Sequence, residues 1–244
     1  MSNPLKGISY FLSGIALVLK PAIRKYAFWP IIINTITFIL LIVLAFTNIA
    51  DLINWMLSFL PEWLDFIRYI FWPLLAIASM IILVLIFSII ANLIASPFNA
   101  ALAAAIEKQL GITNRTYENT LKSNSAQIMN EIRKIIYYIL RAIPLLILFI
   151  IPVINIVAPF AWLIFSAWIL SIEYTDYPMG NHNITFTEQR KRLKQRKILS
   201  LSFGSTVTFA MMIPLLNFIV MPVAVAGATK MWVEDLSGDE LSAD

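Results

Sequence analysis

Four windows without a charged residue, 26–50, 69–106, 142–172 and 198–229, take up more than half of this 244-residue chain. They are 25, 38, 31 and 32 residues long, and about 20 apolar residues of helix cross a hydrocarbon core of ~30 Å. The whole chain is 60% hydrophobic and 13% charged, against roughly 45–50% and about 25% in soluble domains. These windows predict an all-α integral membrane protein forming one membrane domain over 1–244.

The N-terminal segment, 1–25, carries Lys6 before an apolar run but is followed by Lys20 and Pro21 rather than by a small-residue cleavage site. Leu5, Ile8, Leu12, Ile15 and Leu19 recur at steps of three and four, which predicts an amphipathic helix. Two placements fit that pattern: against the membrane surface, or packed on the rest of the protein.

Charge sets the expected topology, because cytoplasmic loops of membrane proteins are enriched in Lys and Arg. Residues 1–25 hold Lys6, Lys20, Arg24 and Lys25 and no acid, whereas 51–68 hold three acids and only Arg68. The first window, 26–50, therefore runs outward as span 1. Residues 107–141 hold six cations, so 69–106 returns as span 2 to a cytoplasmic helical segment, 107–141. Its 38 residues make ~57 Å of helix, longer than the bilayer is thick.

The segment 173–197 again carries six cations, and a single crossing by 142–172 would place them outside. Both later windows are broken near their centres: by Pro152, Asn155 and Pro159 in one, and by Pro214, Asn217 and Pro222 in the other. The breaks resemble copies, Ile151-Pro152-x-x-Asn155 against Ile213-Pro214-x-x-Asn217. Arms of ~10–16 residues suit re-entrant segments. The expected fold is two long transmembrane helices plus two re-entrant, half-depth hairpins, 142–172 and 198–229. A basic cytoplasmic segment, 173–197, separates them and an acidic tail, 230–244, follows. This arrangement puts 17 of the 18 cations on the cytoplasmic side, with the N-terminus cytoplasmic.

Irregular backbone at membrane depth is tolerated only where it is buried in protein or lines a watery cavity. The second arm of each hairpin points a helix N-terminus, with its partial positive charge, into the membrane, which suits an anion. Asn155 and Asn217 either cap these ends or face the path. Asn34, Asn92 and Asn99 are further candidate pathway-lining residues, with helix packing as their alternative use. Lys20-Pro21-Ala22-Ile23-Arg24-Lys25-Tyr26 is the most chemically pointed stretch, since arginine can hold a tetrahedral oxyanion through paired hydrogen bonds. Arg24 and Lys25 are the candidate anion-binding residues. The basic run Arg190 to Lys197 is expected to anchor lipid headgroups.

No phosphate-binding loop, H-E-x-x-H pair or nucleophile elbow occurs, and cysteine is absent. The chain is therefore read as a non-enzyme without metal or cofactor. His182, in Asn181-His182-Asn183, is expected to be solvent-exposed.

Four stretches together resemble the CysZ family of bacterial inner-membrane sulfate permeases over about residues 7–234. They are Gly14 through Pro21 with Arg24, Pro30 and Asn34; Asn92-x-x-Ala95-x-Pro97-Phe98-Asn99; Phe165-Ser166-Ala167-Trp168 leading to Tyr174-x-Asp176-Tyr177-Pro178; and Met212-Ile213-Pro214-Leu215-Leu216-Asn217 through Met231-Trp232. The resemblance implies sulfate uptake across the cell inner membrane to supply cysteine biosynthesis, without ATP hydrolysis, by a homo-oligomer (dimer or higher). It implies sulfate binding at Arg24, Lys25 and the backbone amides of that helix start; relatives often have arginine at the position of Lys25. Sulfate and membrane lipids are the expected partners, and nucleic acid is not. A membrane scaffold, a lipid-binding protein and a regulator acting through 107–141 stay open as alternatives.

Overall fold

The computed structural model describes residues 3–59, 61, 65–112, 124–213 and 217–238. Among these residues the secondary structure is helical, with no strand. The α-helices are α1 (Pro4–Val18), α2 (Pro21–Leu57), α3 (Asp65–Gln109), α4 (Asn124–Ile150), α5 (Ala158–Asn181), α6 (Phe186–Gln195), α7 (Lys197–Met211) and α8 (Asn217–Met231). Two compact units divide them, one made of Met1–Ala27 and Asn99–Asp244, the other of Phe28–Phe98.

Among the described residues, three stretches are long and apolar enough to cross a membrane: Pro21–Ala45, Tyr69–Phe87 and Ala158–Asn181, with mean hydropathies of 2.4, 2.8 and 1.2. The first overlaps predicted span 1 over 26–45 but begins earlier, at Pro21, and the second lies within span 2. The third extends a predicted hairpin arm, because α5 does not stop at the charge that closed its apolar window. It continues through Glu173 and Asp176 for 24 residues, and those acids find partners on α4.

The Phe28–Phe98 unit consists of α2 after its first two turns and most of α3. Apolar side chains face outward all round these helices: Ile36, Ile39, Leu40, Leu74, Ile77 and Leu85 are all more than half exposed. A helix apolar on every side requires an apolar surrounding. Within the unit, Phe38 and Phe87 meet at 4.9 Å between ring centroids.

The larger unit holds the core. Asn3 caps α1 by accepting the Leu5 N–H at 3.0 Å, Pro4 opens the first turn, and Pro21 enforces the turn that ends it. One face of α1, carrying Gly7, Tyr10, Phe11, Gly14, Leu17 and Val18, is buried. The opposite face, carrying Leu5, Ile8, Leu12, Ile15 and Leu19, is exposed. Both placements raised by the sequence pattern thus have a face to serve them. The small face packs on α7 and α8, and the large apolar face is left outward.

Glycine makes that packing possible. A Cβ built on Gly14 overlaps the Val223 carbonyl of α8, and one on Gly204 of α7 overlaps the Ala167 carbonyl of α5. Backbones therefore touch at these crossings, the geometry that small residues permit between membrane helices. The C-terminal end closes on the same face. A π-helical turn, Trp232–Leu236, follows α8, and its Trp232 is fully buried.

The two Pro-Asn breaks differ in three dimensions. After α4, Val153 takes a φ of 70°, a costly conformation for a β-branched residue. A short 3₁₀ turn, Ile154–Ile156, follows, and Pro159 sits in the first turn of α5. At the second break α8 begins at Asn217 with Pro222 inside it, so the aligned prolines do not serve matching positions. Pro214 lies outside the described residues. The helices at this break, α7 and α8, have 15 residues each, or ~22 Å of length.

Replacing Gly204 by leucine should prevent α5 and α7 from reaching contact distance. Purified Gly204→Leu protein is expected to lose monodispersity in detergent and unfold at markedly lower temperature, whereas Gly180→Leu, where a side chain meets nothing within 4 Å, should behave as wild type.

Candidate functional site

The bend between α1 and α2 places the predicted anion-binding pair on a defined platform. Ile23 and Ala27, one turn apart, are buried at 1% exposure each, and with this stripe held in the core Arg24 and Lys25 face outward and are exposed. The Lys25 ammonium lies 5.1 Å from the centre of the Tyr26 ring. Two adjacent cations at a helix N-terminus, with the macrodipole behind them, form an anion-attracting point.

Part of the backbone at this bend already has partners. Pro21 has no N–H, and the Ile23 and Arg24 N–H groups both donate to the Lys20 carbonyl at 2.9 Å. These two amides are thus engaged within the bend itself.

The other predicted residues are spread along the chain. Asn99 is buried at 2% exposure beside the Tyr177 hydroxyl, yet its Nδ2 has no hydrogen-bond partner. Asn155 is exposed in the turn between α4 and α5. Asn34, in the Phe28–Phe98 unit, has a buried Oδ1 without a partner. The side chains of Asn92 and Asn217 lie outside the described residues. Among the described residues, no hydrogen bond joins Arg24 or Lys25 to Asn99 or Asn155.

Between α3, α4 and α5 the larger unit contains a polar interior that sequence reasoning did not assemble. The Lys134 ammonium contacts Asp176 at 2.8 Å and Glu131 at 3.0 Å, and the Tyr138 hydroxyl donates to Glu173 at 3.4 Å. Burial of Lys134 works against its charge, but the neighbouring carboxylates of Asp176, Glu173 and Glu131 outweigh it and raise its pKa above that of an ordinary lysine. Asn181 donates to the Ala100 carbonyl at 3.0 Å.

His182 departs from expectation. Its Nε2 lies 3.1 Å from Glu107, whose side chain is fully buried, and its own side chain is only 14% exposed. The ring also packs against Trp232, with centroids 5.7 Å apart. The loop containing His182 is polar in sequence because its side chains reach back onto α3, not because it faces water.

The basic run also divides. Lys191, Lys194, Arg196 and Lys197 are exposed, while Arg190 and Arg192 turn inward. The Arg190 guanidinium lies 4.5 Å from the Tyr137 ring centre. Arg192 lies 5.3 Å from that of Trp232 and donates to the Leu236 and Ser237 carbonyls at 3.1 and 2.9 Å. Only part of this run is therefore free for headgroups.

The two chain ends meet through Lys6 and Asp235, 2.7 Å apart, and through the Tyr10 hydroxyl, which donates to Asp235 at 2.7 Å and to Glu234 at 2.9 Å. Partial burial would raise the Asp235 pKa, but the bonds from Lys6 and Tyr10 prevail and hold it below the usual carboxylate value.

Residues 10–222 match the family model described as "Sulfate transporter CysZ/Etoposide-induced protein 2.4". The chain belongs to this family. It is also 40% identical over 244 residues to a protein of Vibrio atlanticus (strain LGP32) named "Sulfate transporter CysZ", covering 98% of this chain and 97% of that one. The CysZ match includes the bend with Arg24 and Lys25, the polar interior and both Pro-Asn breaks.

Removing the Lys134 charge should leave Asp176 and Glu173 without their cation. Lys134→Met is expected to destabilise the protein by about 2 kcal/mol, since a charge-assisted bond is lost from a buried lysine whose partner Asp176 keeps 33% of its side chain exposed. Adding Asp176→Leu should restore part of the thermal stability, and a double-mutant cycle of melting temperatures measures the coupling.

Proposed function

We propose that the protein carries sulfate across the bacterial inner membrane into the cytoplasm, where it supplies sulfur for cysteine synthesis, without hydrolysing ATP. The observation that carries this reading is the near-complete alignment, at 40% identity, with a relative named as a sulfate transporter. The bend supports it chemically. Arg24 and Lys25 stand exposed side by side on a buried anchor of Ile23 and Ala27, and a doubly charged oxyanion suits two adjacent cations at a helix start.

In this reading α2 and α3 cross the bilayer fully, while α4–α5 and α7–α8 enter partway and return. The ~22 Å lengths of α7 and α8 favour a half-depth insertion over a crossing of ~30 Å. For α5, the apolar part that precedes Glu173 is similarly short, and the rest carries the acids that pair with α4. The outward apolar surfaces of α2 and α3 face lipid or copies of the same chain, so the anion path forms in a homo-oligomer. Asn34, Asn92, Asn99, Asn155 and Asn217 are the polar side chains proposed to line it. The buried, unpartnered polar atoms of Asn34 and Asn99 fit a wet lining better than sealed packing.

Two experiments test this proposal. Radiolabelled sulfate uptake into proteoliposomes should fall about tenfold or more in Arg24→Ala/Lys25→Ala, consistent with the loss of charge-assisted hydrogen bonds; undiminished flux would remove the bend from the mechanism. For topology, the natural absence of cysteine permits single-cysteine labelling in intact cells. Phe59→Cys should react with an impermeant maleimide from outside and Lys191→Cys only after permeabilisation. External labelling of Lys191→Cys would exclude the half-depth hairpins.

A further inference from the structure

A groove of about 820 Å³ opens in the larger unit, with Arg141 and Pro144 of α4, Ile164 and Trp168 of α5, and Lys194 and Lys197 of α6 and α7 in its walls. No carboxylate lines it among the described residues. Cavities of about 300–1,000 Å³ accommodate organic ligands, and a bare oxyanion would fill only a small part of this one.

Charge and apolarity are separated along the groove. α4 and α5 run antiparallel: Trp168 donates to the Tyr137 hydroxyl at 2.9 Å, and Phe149 meets Trp162 nearer the break, with centroids 6.2 Å apart. At the Tyr137 end, the Arg141 guanidinium lies 5.0 Å and that of Arg190 4.5 Å from the tyrosine ring centre. Lys194 follows Arg190 by one helical turn, so it approaches the same end as Arg141. Toward the 151–157 break, the walls become Pro144, Leu145, Ala161 and Ile164, which offer no charge. Ile164 is 62% exposed, so this apolar wall is open along its side.

We propose that the groove binds one anionic glycerophospholipid, its phosphate held by Arg141, Lys194 and Lys197 and an acyl chain lying along Pro144, Leu145 and Ile164. Cations at one end and an apolar trough leading toward the membrane-inserted break match both parts of such a lipid. The proposal rests on the membrane placement of α4 and α5 given above. It does not depend on the sulfate path, since neither Arg24 nor Lys25 belongs to the groove.

Native mass spectrometry of the full-length protein in detergent, titrated with dioleoyl phosphatidylglycerol or dioleoyl phosphatidylcholine without sulfate, tests it. Wild type should retain the phosphatidylglycerol over the phosphatidylcholine by about tenfold or more, given the attraction each basic group contributes. Arg141→Gln/Lys194→Gln/Lys197→Gln should lose that preference, and Ile164→Trp, which fills the trough, should lower retention of both lipids several-fold. Lys191→Gln, on the exposed side of α6, should change neither. Lys194→Gln alone should weaken the preference about fivefold, which keeps the test usable if the triple variant loses its helical circular dichroism. A preference that survives both Gln variants would overturn the proposal. So would displacement of bound lipid by millimolar inorganic phosphate together with indifference to Ile164→Trp, which would mark a free-anion site. A shift of oligomeric mass in the variants with unchanged lipid retention would assign the groove to a second copy and equally overturn it.

Discussion

Backbone-to-backbone contact organises the larger unit. In lipid the hydrophobic effect does not draw one apolar helix to another, so association depends on close van der Waals approach. α1 reaches α7 and α8 through Gly7, Gly14 and Gly227, and α7 reaches α5 through Gly204. Once these helices touch, the remaining side chains have little choice. Tyr10 is brought to Glu234 and Asp235, Trp232 is enclosed, and His182 is carried against that tryptophan. The polar contacts are downstream of the glycine crossings, because each needs a helix spacing that a larger side chain would forbid.

The same dependence explains what could be read beforehand. Local signals were legible: the three-and-four spacing of Leu5, Ile8, Leu12, Ile15 and Leu19 marked one face of α1, and Pro152 with Asn155 marked a break. The CysZ resemblance was legible in the same way, from short runs of identity. Pairings between distant residues were not. Lys6 and Asp235 are 229 positions apart and His182 and Glu107 75 apart, and nothing local distinguishes a polar loop that faces water from one folded onto α3. The length of α5 was underestimated for a related reason. A charge normally closes an apolar window, but Glu173 and Asp176 find Tyr138 and Lys134 on the neighbouring helix, so the helix continues through them.

Near-identical sequence motifs also diverged where tertiary context differs. Pro159 opens α5 while Pro222 lies within α8. In the first turn of a helix proline removes a donor that would be orphaned anyway, whereas in the interior it removes a bond that neighbours must replace. Val223 and Ala224, just after Pro222, are buried, so this part of α8 is surrounded by protein. The first break instead presents exposed Asn155 and a Val153 held at positive φ. One proline therefore marks a corner, and its sequence counterpart marks a supported helix interior.

Counting cations set the expected topology but could not tell them apart as chemical groups. Lys6 and Lys134 are matched to acids. Arg190 and Arg192 lie over aromatic rings, where a guanidinium keeps its charge while giving up part of its hydration. Arg24 and Lys25 remain exposed on a buried anchor. Exposed groups such as these keep most of their hydration water, although the Lys25 ammonium also lies 5.1 Å from the Tyr26 ring centre. The buried cations hold the helices that present the exposed ones. A substitution at Lys134 should therefore act on the fold, whereas one at Arg24 should leave the fold intact.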